Sequence, residues 1–131
     1  MTADDYDAVV EVWRTAELQF CPEGRESREA VMRQIAAFPE ISLVAVEDGR
    51  IAGVVLGTHD TRKGWVNRLA VLPEFRRRGI AAALVERLQQ ELDAIGIEVV
   101  AALIKENNSP SITLCESLGF VPMDNIRYFS K

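Results

Sequence analysis

The chain has 131 residues, 48% of them hydrophobic, which is enough for one domain with a real core and too little for two. A formal net charge of −5 argues against general nucleic-acid binding, which depends on a basic surface. Two cysteines, Cys21 and Cys115, make no disulfide framework and no paired metal-ligand spacing, so we expect free thiols, no metal and a cytoplasmic setting. No uncharged apolar run approaches the ~20 residues that span a membrane, and acidic residues near Met1 leave no visible signal peptide.

Taken in order, Thr2 and Asp5 resemble a capping box. Tyr6, Val9, Val10, Trp13, Ala16 and Phe20 then recur at helical spacing, predicting a helix to about Phe20. Cys21-Pro22-Glu23-Gly24 breaks it, and Ser27 caps a second helix that carries Val31, Ile35 and Phe38 and stops before Pro39. Ile41–Val46 and Ile51–Leu56 read as strands of a hairpin turning at Asp48-Gly49. A polar connection from Thr58 to Gly64 leads to a strand at Trp65–Val71. A helix from Gly79 to about Ala94 follows, with Leu84, Leu88 and Leu92 in line and Gly96 at its end. The continuous apolar run Ile97–Ile104 predicts a buried central strand. Ser109 then caps a short helix with Pro110 at its first position, ended by Gly119. Phe120–Met123 and Ile126–Ser130 are read as short closing strands.

The most informative stretch is Leu69 to Leu84. An apolar strand runs through Pro73 into Arg76-Arg77-Arg78-Gly79 and then a helix opening on small residues. That order sets orphan backbone N–H groups and the positive end of a helix dipole beside three arginines. Cations there oppose the dipole unless an anion sits among them, so the stretch reads as a phosphate receptor rather than a solvated charge run. Gly79 lets the turn pass close to a ligand, and Ala81 and Ala82 keep side chains out of the way. No Gly-Lys-Ser or Gly-Lys-Thr follows a Gly-rich loop, and no Gly-x-Gly-x-x-Gly is present, so nucleotide hydrolases and dinucleotide Rossmann domains are disfavoured.

Arg76-x-x-Gly79-x-Ala81 resembles the acyl-CoA pyrophosphate loop of the GNAT superfamily of N-acetyltransferases. The run Asn108-Ser109-Pro110-Ser111-Ile112-Thr113-Leu114-Cys115-Glu116-Ser117-Leu118-Gly119-Phe120 is similar to a second segment of that family, Asn-x-x-Ala-x-x-Leu-Tyr-Glu-x-Leu-Gly-Phe. The resemblance covers nearly the whole chain and is of the small single-domain bacterial or archaeal type, with residues 1–131 as one domain. It implies an α/β fold with a mixed, mostly antiparallel central sheet and helices on both faces. The family's first strand is lacking here, either because the chain dispenses with it or because its start lies downstream of the family norm.

The resemblance also implies acetyl-CoA as acyl donor. Arg76, Arg77, Arg78, Gly79, Ile80, Ala81 and Ala82 would hold its pyrophosphate, chiefly through the backbone amides from Arg77 to Ala82. Leu69, Ala70 and Val71 would pair with the pantetheine arm like an extra strand, one N–H polarising the thioester carbonyl. Asn108 would contact the cofactor. The strands at Trp65–Val71 and Ile97–Ile104 would split to admit the arm.

Two further features depart from the family. Cys115 stands where the family commonly has a Tyr that protonates the leaving thiolate, so it is a candidate acid; by itself a lone Cys is a small inert hydrophobe. Asn67 and Leu103 stand where some members carry a catalytic Glu. His59 is therefore weighed as a base acting through water, against a structural role beside a turn, a role expected of Asp60 too. Tyr128 is a further candidate acid.

The expected activity is direct acetyl transfer from acetyl-CoA to a primary amine, with a homodimer the oligomer to consider and neither nucleic acid nor membrane as partner. The acidic balance mildly favours a cationic acceptor. A non-catalytic acyl-CoA-binding sensor or interaction module is the alternative.

Overall fold

The structure, a computed structural model, describes residues 1–131. A single 3-10 turn at Ala3–Asp5 leads into α1 (Tyr6–Thr15), followed by α2 (Arg28–Ala37), β1 (Ser42–Glu47), β2 (Arg50–His59), β3 (Lys63–Val71), α3 (Ile80–Asp93), β4 (Val99–Ala102) and α4 (Ser109–Ser117). The four strands form one sheet in the order β1-β2-β3-β4. The first three are antiparallel and β4 runs parallel to β3. The mixed, mostly antiparallel sheet is as expected, and no strand precedes α1. No helix is long and apolar enough to cross a membrane.

Turn chemistry sets most boundaries. Asp48 and Gly49 both take positive φ, 51° and 74°, the pair of left-handed residues that a type I′ hairpin requires. Ser27 Oγ accepts the Ala30 N–H at 3.2 Å and starts α2 where the sequence placed it. Gly96 (φ 84°) ends α3 in a Schellman arrangement, Ile97 N–H donating to Leu92 O at 3.0 Å and Gly96 N–H to Asp93 O at 3.0 Å.

Glycines let α3 lie close on the sheet. A Cβ at Gly53 would meet Ile80 and Leu84 of α3, and one at Gly57 would sit 2.7 Å from Leu88 Cδ1 and 2.8 Å from Ile41 O. Strand alternation sends Val54 and Leu56 to the opposite face. There they are buried with Val9, Val12 and Trp13 of α1 in the core cluster. Helices therefore cover both faces. Each fully buried Val or Leu adds about 1.5–3 kcal/mol.

Four expectations are corrected. The first helix ends at Thr15, not Phe20, because Glu17 adopts φ 60° and closes a Schellman turn: Leu18 N–H reaches Trp13 O at 2.8 Å and Glu17 N–H reaches Arg14 O at 3.1 Å. Ala16 and Phe20 keep the apolar rhythm without the helix, and the Phe20 ring lies 6.1 Å from that of Trp13. The helix of 109–117 is capped by Asn108, whose side chain accepts the Ser111 N–H at 3.2 Å, so Pro110 falls at the second helical position.

The run Ile97–Ile104 is not a buried central strand. Only Val99–Ala102 is extended in the sheet, it forms an edge, and Val99 and Leu103 are exposed. Finally, Phe120–Met123 and Ile126–Ser130 form no strands, and Val121, Met123, Ile126, Tyr128 and Phe129 are exposed. The last two corrections have one cause, since strands at 120–130 would have been the partners that moved β4 inward.

Candidate active site

The site begins where β3 leaves β4. The parallel ladder joins Lys63–Val66 to Val99–Ala102 and then stops, so the β4 side of Asn67–Val71 is unpaired. The divergence coincides with a bulge on the other side of β3. Leu56 pairs with Asn67 and Val54 with Ala70, which leaves an extra residue on β3. Arg68 lies in it with φ 56°, a left-handed conformation that costs a non-Gly residue about 1–3 kcal/mol.

Alternation then decides which amides face the gap. Leu72 N–H donates to Ala52 O at 2.8 Å, Ala70 pairs with Val54, and Val71 O accepts from Arg76 Nε at 3.2 Å on the side away from β2. Leu69 and Val71 thus turn their N–H groups to the unpaired edge, whereas the ladder occupies Ala70.

After β3 the chain passes through Pro73–Phe75 into the arginine turn. Arg77 (φ 64°) and Gly79 (φ 76°) are both left-handed, so the turn winds its amides inward as an anion-binding nest does. The backbone N–H groups of Arg77, Arg78, Gly79, Ile80, Ala81 and Ala82 find no acceptor in the protein; the first α3 bond is Ala83 N–H to Gly79 O at 2.9 Å. This is the row of amides expected to hold a pyrophosphate, and no acidic side chain sits in the first turn of α3 to neutralise it.

The arginines differ among themselves. Arg76 is turned back to Val71 O, Arg78 stacks over the Phe75 ring at 5.2 Å, and Arg77 is exposed with no side-chain partner. Ile80 buries its side chain under α3 and offers only its backbone.

On the α1 side, the loop between α1 and α2 crosses the bulge. Trp13 Nε1 donates to Arg68 O at 3.4 Å, and the Arg68 guanidinium stacks over the Trp13 ring at 4.6 Å. Arg68 Nη1 donates to Gln19 O at 2.6 Å and lies 3.8 Å from Glu26 Oε1. Burial lowers the Arg68 pKa, opposed by the Glu26 charge. Glu26, itself buried, accepts the Cys21 N–H at 2.7 Å and Arg25 Nε at 3.1 Å. An open cavity of about 540 Å³ lies along this loop, walled by Arg14, Leu18, Phe20 and Arg25 among others. Sequence reading missed Arg68, Gln19 and Glu26, because a bulge leaves no local signature and their contacts span distant segments.

The remaining candidates scatter. Cys115 is half-buried on α4, and burial pushes its thiol pKa up, so it holds its proton at neutral pH. That disfavours a nucleophilic thiolate and also makes the thiol a weaker acid than a free one. Asn108 spends its carbonyl oxygen on the α4 cap, and its amide N–H groups have no partner.

The structure does not bring His59 to the gap. It pairs with Gly64 at the far end of β2, three residues and hence about 10 Å along the strand from Leu56, which pairs with Asn67 where the gap begins. There its ring meets Phe38 edge-on at 5.1 Å and Nδ1 accepts the Thr61 N–H at 3.1 Å. Asp60 is a turn residue, accepting Arg62 and Lys63 N–H at 2.9 and 2.8 Å, which lowers its pKa. Asn67 Nδ2 donates to Thr58 Oγ1 at 3.1 Å, Leu103 is exposed, and Tyr128 is exposed in the C-terminal segment. No group of three His, Cys, Asp or Glu side chains is placed to hold a metal ion.

A strand parts from its neighbour at a bulge and ends in a row of free amides, a geometry that matches what an extended ligand with a phosphorylated end requires. The chain belongs to the acetyltransferase (GNAT) family, which it matches over residues 8–120. Acetyl transfer from acetyl-CoA is the chemistry of that family. The chain is 33% identical over 117 residues to an acetyltransferase of Photorhabdus laumondii, covering 89% of this chain and 80% of that one. It is 33% identical over 123 residues to an acetyltransferase of Pectobacterium atrosepticum, covering 94% and 86%. Its fold is similar to that of the PaiA N-acetyltransferase of Thermoplasma acidophilum, solved with coenzyme A. The TM-score is 0.82 at 18% identity, over 96% of this chain and 89% of that one.

Proposed function

We propose that this chain transfers the acetyl group of acetyl-CoA directly to a primary amine, of a small molecule or a protein. The observation that carries the reading is the run of unpartnered amides from Arg77 to Ala82 at the end of a strand whose neighbour has left it. The CoA pyrophosphate binds those amides, with Arg77 free to add charge. The pantetheine arm lies along Leu69 and Val71, and Asn108 offers its amide N–H groups to the cofactor from the cap of α4. The thioester carbonyl comes to the bulge, where the Leu69 N–H stabilises the oxyanion.

The amine attacks the carbonyl carbon, the C–N bond forms, and the amine proton leaves to water. The C–S bond then breaks, and CoA leaves as the thiolate or takes a proton from the Cys115 thiol, which regains one from the water that received the amine proton. Holding both reactants together supplies much of the acceleration. The free thiols suit a cytoplasmic setting.

A second reading, a non-catalytic acyl-CoA-binding module, is favoured by one observation: neither Asn67 nor Leu103 is ionisable and His59 is remote. Calorimetry with CoA, followed by thiol release from acetyl-CoA across an amine panel, separates the two. Binding with amine-dependent release supports the enzyme; binding with none across the panel supports the module; no binding removes both.

A further inference from the structure

Arg68 is an unusual residue to find in the bulge. Gly would take φ 56° without strain and without burying a charge. Arg instead brings a guanidinium into a site where only Nη1 is satisfied, while Nε and Nη2 are buried with no partner. Unpaired buried donors are costly, so a side chain kept in that state needs a reason outside local packing.

Its contacts supply the reason. Nη1 holds the main-chain oxygen of Gln19 at 2.6 Å, and Gln19 Oε1 in turn accepts from Lys105 Nζ at 3.3 Å. Lys105 lies three residues past the end of β4. Gln19 is therefore tied on one side to β3 and on the other to the chain leaving β4, straddling the place where the two strands part. Glu26 reinforces the tie from within the same loop, at 3.8 Å from Nη1. Trp13, wholly buried, fixes the guanidinium plane from beneath and the bulge carbonyl with its indole N–H.

We infer that Arg68 is a positioning residue that latches the α1–α2 loop across the split between β3 and β4, fixing together the wall of the open cavity beside that loop, through which the amine approaches, and the direction of the adjacent Leu69 N–H. The inference rests on the N-acetyltransferase reading for its kinetic consequence, though not for its structural one. A planar fork is needed because the guanidinium must stack on Trp13 and donate sideways to Gln19 at once, a geometry that the Lys ammonium does not reproduce.

The test compares Arg68→Gly, which keeps the backbone at ease and removes the latch, with Arg68→Lys. In Arg68→Gly, the Cys21, Gly24 and Glu26 amides, bonded within the loop, are expected to exchange hydrogen at least tenfold faster. CoA affinity by calorimetry is expected to stay within twofold. KM for the amine should rise tenfold or more while KM for acetyl-CoA holds, and Arg68→Lys should recover part of both effects. Wild-type loop exchange in Arg68→Gly overturns the inference. So does a uniform loss of protection through the whole sheet together with CoA affinity, which marks a purely structural residue.

If Arg68→Gly does not fold, Lys105→Met cuts the other tie at an exposed side chain, and is expected to speed the same three amides at least threefold. Unchanged exchange there likewise overturns the inference. Should the wild type bind CoA yet acetylate no amine, the enzymatic reading fails on its own, and loop exchange with CoA affinity still decides the role of Arg68.

Discussion

Gln19 and Lys105, 86 residues apart in sequence, meet at 3.3 Å above the point where the parallel ladder ends. One comes from the loop after α1 and the other from the chain just past β4. Their contact encloses, on the α1 side, the unpaired edge of β3 that carries the Leu69 and Val71 amides.

Gly79→Val should weaken CoA binding by at least tenfold, about 1.4 kcal/mol. A Cβ at Gly79 would meet nothing within 4 Å, so the defect is conformational: φ 76° is closed to a β-branched residue, and the amides of the turn must re-aim. Gly79→Asn, which tolerates the left-handed region, should lose much less. Calorimetry on both folded variants checks this. Unaltered affinity in the Val variant removes the basis of the pyrophosphate assignment.

Cys115→Ala should lower turnover by no more than about tenfold, short of the ~10² or more expected for an essential general acid. The raised thiol pKa carries a separate expectation. Near pH 8 Cys115 should be alkylated more slowly than the exposed Cys21, its rate climbing only at higher pH as the thiolate forms. Mass spectrometry after timed iodoacetamide exposure reads both sites. An acetylated Cys115 in the presence of acetyl-CoA would instead indicate a covalent route.

His59→Ala should leave turnover within about twofold and lower the unfolding temperature by a few degrees. Its ring fills space beside Phe38 and its Nδ1 holds the Thr61 N–H, and losing such contacts costs on the order of 1 kcal/mol. A hundredfold loss of turnover at unchanged stability would restore it as a base.

Gly57→Ala should destabilise by about 1–3 kcal/mol, the usual cost of overpacking. The new Cβ falls 2.8 Å from the Ile41 main-chain oxygen and 2.9 Å from Ile41 Cβ, so backbone and not only a flexible side chain must shift. Urea unfolding measures it. A neutral result would mean that α3 is not seated as closely on β2 as described.

Much of the fold is legible wherever a turn residue has a local job. Asp48-Gly49, Ser27, Gly96 and Gly119 mark boundaries because positive φ or a cap demands their chemistry within four residues. Reading fails where a boundary depends on distant partners. The apolar rhythm outlasts the helix because Ala16 still packs on the core and Phe20 packs back on Trp13, and β4 is an edge because residues 120–130 do not pair. The amide row at Arg77–Ala82 could be read from Arg76-x-x-Gly79, since orphan N–H groups follow from any helix start. The latch at Arg68 could not, because it arises from an extra residue in one strand that only the register with β2 exposes.

The glycines under α3 bear on how a ligand is bound as well as on packing. With Gly53 and Gly57 letting Ile80, Leu84 and Leu88 rest against strand backbone, the first turn of α3 is braced directly on the sheet. Its amides, those of Ile80, Ala81 and Ala82, are therefore held in place before any anion arrives. Association then forfeits the ligand's freedom but little of the protein's, and the ordering entropy that weakens binding by flexible loops is largely absent.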